Sequence, residues 1–303
     1  MVYDVVIIGG GPAGLTAGIY AARARLKTLL IERAVVGGLA ATTEFIENYP
    51  GFSEPISGPE LASRMEEQAR RFGLEFLYAH AEAVQKDGPN FLVTTEEGQV
   101  AGRALIIATG AHPQKLNVKG EDLFYGRGVS YCATCDGAFF KDKRVAVVGG
   151  GDAAIEEAIF LTKFAQQVYV IHRRDQLRAT KVIQERSRQN TRITFIWNSV
   201  VEEILGQEAV SGVRLKDVCT GELKELNVSG VFVYIGYRPN SSLVKDLVNL
   251  DEQGYIITDA HMQTSCPGIF AAGDVRQKPL RQVVTAVADG AIAAFSAEKY
   301  LEG

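Results

Sequence analysis

Tyr3-Asp4-Val5-Val6-Ile7-Ile8-Gly9-Gly10-Gly11-Pro12-Ala13-Gly14 is the stretch whose reading decides the fold. Its first half is an apolar run of strand length, the pattern of a strand buried on both faces. Its second half is a glycine turn, and the alanine-rich segment Leu15 to Ala24 that follows has helical spacing. Strand, glycine turn and helix in that order is the context that a dinucleotide pyrophosphate requires. Gly9 permits the tight turn, Gly11 lets backbone N–H groups approach phosphate oxygens, and Gly14 lets helix pack on strand. The next apolar run, Thr28-Leu29-Leu30-Ile31, ends at Glu32, placed to accept hydrogen bonds from a ribose hydroxyl. A glycine motif alone is often only a tight turn; with the acid in place, nucleotide binding is the better reading.

The plan then recurs. Arg144-Val145-Ala146-Val147-Val148 runs into Gly149-Gly150-Gly151-Asp152-Ala153-Ala154, and Ile155 to Lys163 reads as a helix. Glu32 lies 21 positions after Gly11, and His172 lies 21 after Gly151, so the second strands end in register. Gly110-Ala111-His112-Pro113 and Gly236-Tyr237-Arg238-Pro239 close the two units alike. Internal duplication and two nucleotide sites follow. Where the first unit has an acid, the second has His172-Arg173-Arg174 and then Arg178. Guanidinium forks bind a phosphate bidentately, so this site is expected to prefer NADPH over NADH. The alternative is a solvated basic helix start.

A chain of 303 residues fits two domains, each with its own core. The start at Met1 carries neither a basic region nor a cleavage site, and no apolar run approaches the ~20 residues of a membrane span. A cytoplasmic protein without a membrane role is expected. The net charge of -4 lacks the basic clusters that phosphate backbones demand, which argues against nucleic acid. Four cysteines, at 132, 135, 219 and 266, are too few and too uneven for a secreted disulphide scaffold.

Cys132-Ala133-Thr134-Cys135 lies in a loop-like stretch, with the spacing of a reversible small-ring disulphide. Zinc is the main rival, but a structural site takes four ligands, and Cys219 and Cys266 are isolated. Asp136 reads equally as a proton shuttle, its pKa raised by partial burial, or as a turn former before Gly137. His80, His112 and His261 have no acid or cysteine at ligand spacing and read as structural or surface residues. Cys219 and Cys266 read as small apolar residues in or near strands.

These motifs, with Glu47-Asn48-Tyr49-Pro50-Gly51, Ala108-Thr109-Gly110-Ala111, Cys132 to Gly137 and Gly268 to Asp274, run over nearly the whole chain. Together they resemble the bacterial-type, low-molecular-weight thioredoxin reductases of the FAD- and NADPH-dependent pyridine nucleotide-disulphide class. The resemblance implies an α/β fold of two Rossmann-like three-layer domains, the NADPH domain inserted into the FAD domain. FAD would fall to residues 1–113 and 244–303, and NADPH with the redox pair to 114–243. It implies FAD contacts from Gly9, Gly11, Pro12, Ala13, Gly14, Glu32, Gly38, Leu39, Thr43, Asn48, Val84, Thr109 and Gly110. The returning segment would add Gly273 and Asp274 at the ribityl and phosphate region, and Arg281, Gln282 and Val283 beside the flavin ring. NADPH would rest on Gly149, Gly151, Asp152, Ala153, Ala154, His172, Arg173, Arg174, Arg178 and Gly236.

The resemblance further assigns Cys135 to the flavin, Cys132 to attack on oxidised thioredoxin and Asp136 to proton transfer. It implies a homodimer, and an NADPH domain that turns about connections near Pro113 to Leu116 and Asn240 to Val244. One departure stands out: family members have Gly-Gly-Gln where this chain reads Gly37-Gly38-Leu39, which removes an amide near the flavin. Rival readings are a ferredoxin-dependent relative, a dithiol oxidase and a non-enzymatic flavin-bound redox sensor. Relatives of the first kind tend to lose the second glycine motif and the arginines, and both are intact here.

Overall fold

The computed structural model describes residues 2–43 and 46–303; Met1, Glu44 and Phe45 lie outside the described residues. The chain divides into two compact units, Met1–His112 with Arg238–Gly303, and Pro113–Tyr237. Residues 238 to 243, placed with the inserted unit by the sequence, count with the first. The reason is Asn240: its amide N–H donates to the Gly110 carbonyl, and its side chain reaches the Thr109 carbonyl and the His112 ring.

In the first unit five parallel strands lie in the order Glu75–Tyr78, Thr28–Glu32, Val2–Ile8, Gly98–Ile107, Ile269–Ala271. The long strand Gly98–Ile107 serves twice. Its first half pairs antiparallel with Asn90–Thr95, which pairs with Ala81–Asp87, while its second half joins Ile269–Ala271. Alternation sorts the faces of the sheet, because successive side chains point opposite ways. Val5 and Ile7 pack among the helices Pro12–Arg23, Gly58–Arg71 and Val283–Glu302, whereas Val6 and Ile8 pack with Val84, Phe91 and Val93 of the antiparallel arm. Helices, parallel sheet and antiparallel arm make three layers.

The second unit repeats the arrangement. Its parallel order is Ile193–Ile196, Gln167–Ile171, Arg144–Gly149, Gly230–Tyr234, Val129–Ser130. Helices Asp152–Leu161 and Lys181–Gln189 cover one face, and the antiparallel strands Ser199–Gly206, Val210–Asp217 and Leu223–Leu226 cover the other. The fifth place differs in origin, being filled from the C-terminal segment in the first unit and from before the glycine motif in the second. Both motif helices begin three residues earlier than their apolar spacing suggests, at Pro12 and Asp152, so the last residues of each glycine motif form the first helical turn. Proline is suited to that position because the first amide has no helical acceptor.

The C-terminal helix Val283–Glu302 crosses the helix Pro12–Arg23 at Gly290, where an added Cβ would stand 2.1 Å from the Ala13 carbonyl oxygen. That contact brings the returning chain onto the first glycine turn. Among the described residues no helix is long and apolar enough to cross a membrane. Gly290→Ala should lower the unfolding free energy by about 1–3 kcal/mol, although alanine is the better helix former, because backbone must move to admit the methyl group. Urea unfolding of the two proteins measures this, and an unchanged or raised midpoint would count against the crossing.

Candidate functional site

At the first glycine turn the backbone leaves no room for side chains in two places and leaves space in a third. A Cβ on Gly9 would lie 2.3 Å from the Ala108 carbonyl oxygen, and one on Gly14 would lie 1.9 Å from the Gly9 oxygen. A Cβ on Gly11 would meet nothing within 4 Å. Gly11 caps the helix Pro12–Arg23 with no side-chain acceptor, so the first-turn amides face that open space with the positive end of the helix dipole. Glu32 closes one side: its carboxylate accepts from the Gly10 amide at 2.7 Å and the Ala34 amide at 3.0 Å. Those two bonds fix the acid while leaving lone pairs for a ribose hydroxyl. Gly38 lies over the turn, an added Cβ there standing 3.5 Å from the Gly11 Cα. Leu39 is half-buried in the turn Gly38–Thr42 and brings no hydrogen-bonding side chain, and Thr43 follows it.

The returning segment completes the cradle. Gly273 lies so close to the helix start that a Cβ would approach the Ala13 Cβ to 2.9 Å. The Asp274 carboxylate follows, with Oδ1 buried and without a hydrogen-bond partner. Burial pushes this acid above its ordinary range, against the pull of Lys278 and Arg281. The Arg281 guanidinium stacks 3.9 Å from the centre of the Tyr255 ring, and its Nε is likewise buried and unpartnered. Gln282 caps the helix Val283–Glu302 in a reciprocal box with Thr285, and its Oε1 accepts from Asn48 Nδ2 at 3.0 Å. This bond joins two stretches 234 positions apart, both assigned to one cofactor by the sequence. Val283 packs against the helical core, and Val84 is buried in the antiparallel arm.

In the second unit a Cβ on Gly149 would meet the Tyr234 carbonyl oxygen at 2.3 Å, and one on Gly151 would again meet nothing within 4 Å. The third position is Ala154, buried and close under Gly149, while Ala153 lies half-buried in the same helical turn. His172 stands in relation to Gly150 as Glu32 stands to Gly10, its ring 2.4 Å from a Cβ built on that glycine. Only 6% of His172 is exposed, and its Nε2 has no partner. Burial first, then Arg178, Arg174 and Arg173, push the imidazole below its ordinary pKa, so it stands neutral. The Gly150 carbonyl accepts from the amides of Arg178 and Ala179, and Asp152 Oδ1 accepts from Thr180 N at 2.6 Å. Those three bonds hold the loop at the rim of the turn, where Arg173, Arg174 and Arg178 are exposed and without an acid partner among the described residues. The Gly236 carbonyl accepts from the Gln114 amide. The Cys132 and Cys135 sulphurs are bonded to each other, with Cα atoms 5.4 Å apart, so the pair is a disulphide rather than two metal-ligating thiolates. The stretch expected as loop contains a helical turn, Ala133–Asp136, started by Cys132, whose Sγ accepts from the Cys135 amide at 3.2 Å. Cys132 and Asp136 are half-buried and Cys135 is exposed.

Several positioning residues carry no motif and escaped the sequence. Tyr234 Oη accepts from the Ala133 amide at 2.8 Å, which ties the cysteine turn to the strand that ends at the second glycine turn. Glu121, 2% exposed, accepts from the Leu116 and Asn117 amides and from Tyr131 Oη, so it fixes the residue before Cys132. The clue to Glu121 lay in its burial, which one-dimensional patterning does not show. Cys219 corrects its reading: it is exposed in a turn whose Asp217 carboxylate accepts from the Cys219 and Thr220 amides.

Comparison with known proteins agrees with this geometry. A family model described as pyridine nucleotide-disulphide oxidoreductase matches residues 3–290. The thioredoxin reductase of Peptoclostridium acidaminophilum is 50% identical over 307 residues, covering 99% of this chain and 98% of that one. That of Bacillus subtilis is 50% identical over 303 residues, covering 99% and 95%. The crystal structure of Lactococcus lactis thioredoxin reductase superposes with a TM-score of 0.97 at 50% identity, over 99% of each chain.

The buried imidazole makes stability depend on pH. The folded pKa of His172 lies below that of the unfolded chain, so the contribution is intact above about 6.5 and falls as acid protonates the unfolded state preferentially. Between pH 7 and pH 5 the wild type should lose stability that His172→Asn retains. Equal losses in urea titrations at the two pH values would contradict the assignment.

Proposed function

The chain belongs to the pyridine nucleotide-disulphide oxidoreductase family, and on that premise we propose that it is an NADPH-dependent thioredoxin reductase. The observation that carries the reading is the disulphide between Cys132 and Cys135, in the same unit as a glycine turn rimmed by three arginines. The overall reaction converts NADPH, a proton and a thioredoxin disulphide into NADP⁺ and the thioredoxin dithiol.

The residues of the first unit fit FAD. Two buried polar atoms without partners, on Asp274 and Arg281, are rare in a folded protein and suit a polar ligand. Gly11 and the first-turn amides would hold the pyrophosphate, Glu32 a ribose hydroxyl, and Asp274 the ribityl region. Amides at the start of the helix Val283–Glu302 would favour negative charge on the reduced ring. When bound, the flavin supplies the redox centre between nicotinamide and disulphide. In the second unit Gly151 would take the NADPH pyrophosphate, and Arg173, Arg174 and Arg178 its 2′-phosphate. Neutral His172 fills the floor beneath Gly150, so the positive charge for the phosphate comes from the arginines.

Once the pair is reduced, the Cys132 thiolate attacks a thioredoxin sulphur and forms a mixed disulphide. That attack breaks the thioredoxin disulphide and expels its other sulphur as a thiolate, which takes a proton from Asp136. Cys135 then gives its proton to Asp136, attacks Cys132 Sγ to restore the Cys132–Cys135 bond, and expels the second thioredoxin thiolate, which takes that proton. The deciding experiment is an anaerobic titration of the purified protein with NADPH, NADH and reduced ferredoxin, followed by turnover with thioredoxin. Bleaching of the flavin by NADPH and steady NADPH consumption with thioredoxin are expected. Bleaching by ferredoxin alone, or a single stoichiometric reduction, would overturn the reading.

Two substitutions sharpen it. Cys132→Ser or Cys135→Ser should leave flavin reduction by NADPH intact and abolish thioredoxin turnover. Arg178→Ala should raise the KM for NADPH about tenfold or more and leave that for NADH nearly unchanged, since only NADPH presents a 2′-phosphate. Steady-state kinetics with both donors decides the second case.

A further inference from the structure

The segment from Gly273 to Arg281 holds a group of buried charges that no motif predicts. Asp289, on the C-terminal helix and 7% exposed, accepts from the Gly273 amide at 3.0 Å, from Arg276 Nη1 at 3.2 Å and from Lys278 Nζ at 3.0 Å. Arg276 is held in turn by Thr258 Oγ1 at 2.7 Å. One carboxylate thus pins three points of the turn that carries Asp274. The Lys278 side chain is only 4% exposed, and its ammonium, bonded to Asp289 and to Thr285 Oγ1, stands 3.6 Å from Asp274 Oδ1. It is shared between two acids, and Asp274 has the weaker hold.

Resting on the flavin reading above, we propose that Lys278 is the positioning residue that readies Asp274 to accept a hydrogen bond from a cofactor hydroxyl. Lys278 exerts the larger pull on Asp274, and Arg281 adds a lesser one. Arg281 is engaged with the Tyr255 ring, Arg276 with Asp289 and Thr258, and Asp289 itself repels. An ionised carboxyl accepts through both oxygens and more strongly than a protonated one, whose O–H can only donate. Burial favours that neutral form, and the ammonium opposes it. At 3.6 Å the ammonium acts on Oδ1 as a charge and not as a hydrogen-bond donor, so Oδ1 keeps its acceptor capacity for the cradle.

The test is FAD binding by apoprotein stripped from the full-length holoprotein, followed by the visible flavin spectrum between pH 6 and 9. Wild-type affinity should change little across that range. Lys278→Met should bind FAD at least about tenfold more weakly at pH 6 and recover toward wild type as pH rises, because loss of the ammonium moves Asp274 ionisation to higher pH. Lys278→Arg should restore the wild-type profile. Asp274→Asn should bind weakly with no pH dependence, and adding Lys278→Met to it should cost less than about twofold. If Lys278→Met does not fold, Lys278→Gln, which keeps a hydrogen-bonding end, carries the same expectation. A pH-independent loss in the single variant, or a full additional loss when Lys278→Met is combined with Asp274→Asn, would overturn the role of Lys278. Failure of the wild-type apoprotein to bind FAD would instead overturn the flavin reading.

Discussion

Both units depend on one steric fact: at the first glycine of each turn, a carbonyl oxygen from the neighbouring strand stands 2.3 Å from where a Cβ would be. The oxygen belongs to Ala108 in the first unit and to Tyr234 in the second. Any side chain at Gly9 or Gly149 would push Val2–Ile8 away from Gly98–Ile107, or Arg144–Gly149 away from Gly230–Tyr234, and tilt the following helix. The middle glycines are constrained differently. A Cβ on Gly11 or Gly151 would meet no protein atom within 4 Å, so no packing within the chain requires glycine there. Packing explains the first glycine and does not explain the second.

On this shared frame the two units are given different charge. Glu32 and His172 occupy equivalent places against Gly10 and Gly150, yet one is a carboxylate braced by two amides and the other a buried neutral ring. The positive charge of the second unit is displaced outward onto Arg173, Arg174 and Arg178, held at the rim by the Gly150 carbonyl and the Asp152 carboxylate. Exposed guanidinium groups suit a phosphate that arrives and leaves, because they bind it without a buried ion pair to break. In the first unit the unpartnered polar atoms are buried and the C-terminal helix closes over the turn, the character of a site for a resident group.

The cysteine pair is positioned from two sides by groups outside its motif. Tyr234 holds the Ala133 amide within the pair, and Glu121 holds Tyr131 just before it. Because Tyr234 also supplies the carbonyl that packs on Gly149, one residue links redox turn and nucleotide turn within the second unit. Lys278 plays a comparable part in the first, acting on a motif residue from a position that no motif marks.

Local patterning was enough to find the two glycine turns, their equal spacing to Glu32 and His172, and the cysteine spacing, because each reflects a backbone constraint that only certain residues satisfy. It placed the helix starts three residues late, since Pro12 and Asp152 open helices without adding to the apolar period. Its junctions, at 113/114 and 243/244, differ from the division of the compact units at 112/113 and 237/238, for the side-chain bonds of Asn240 leave no trace in a one-dimensional pattern. Cys219 looked like a small apolar residue until its exposed turn on Asp217 was seen. What only the tertiary structure decided is which separated groups meet: Asn48 with Gln282, Glu121 with Tyr131, Lys278 with Asp289. Turn chemistry is written in neighbouring residues, whereas the pairing of buried polar groups is settled by how the layers close, and the sequence carries no short-range signal for it.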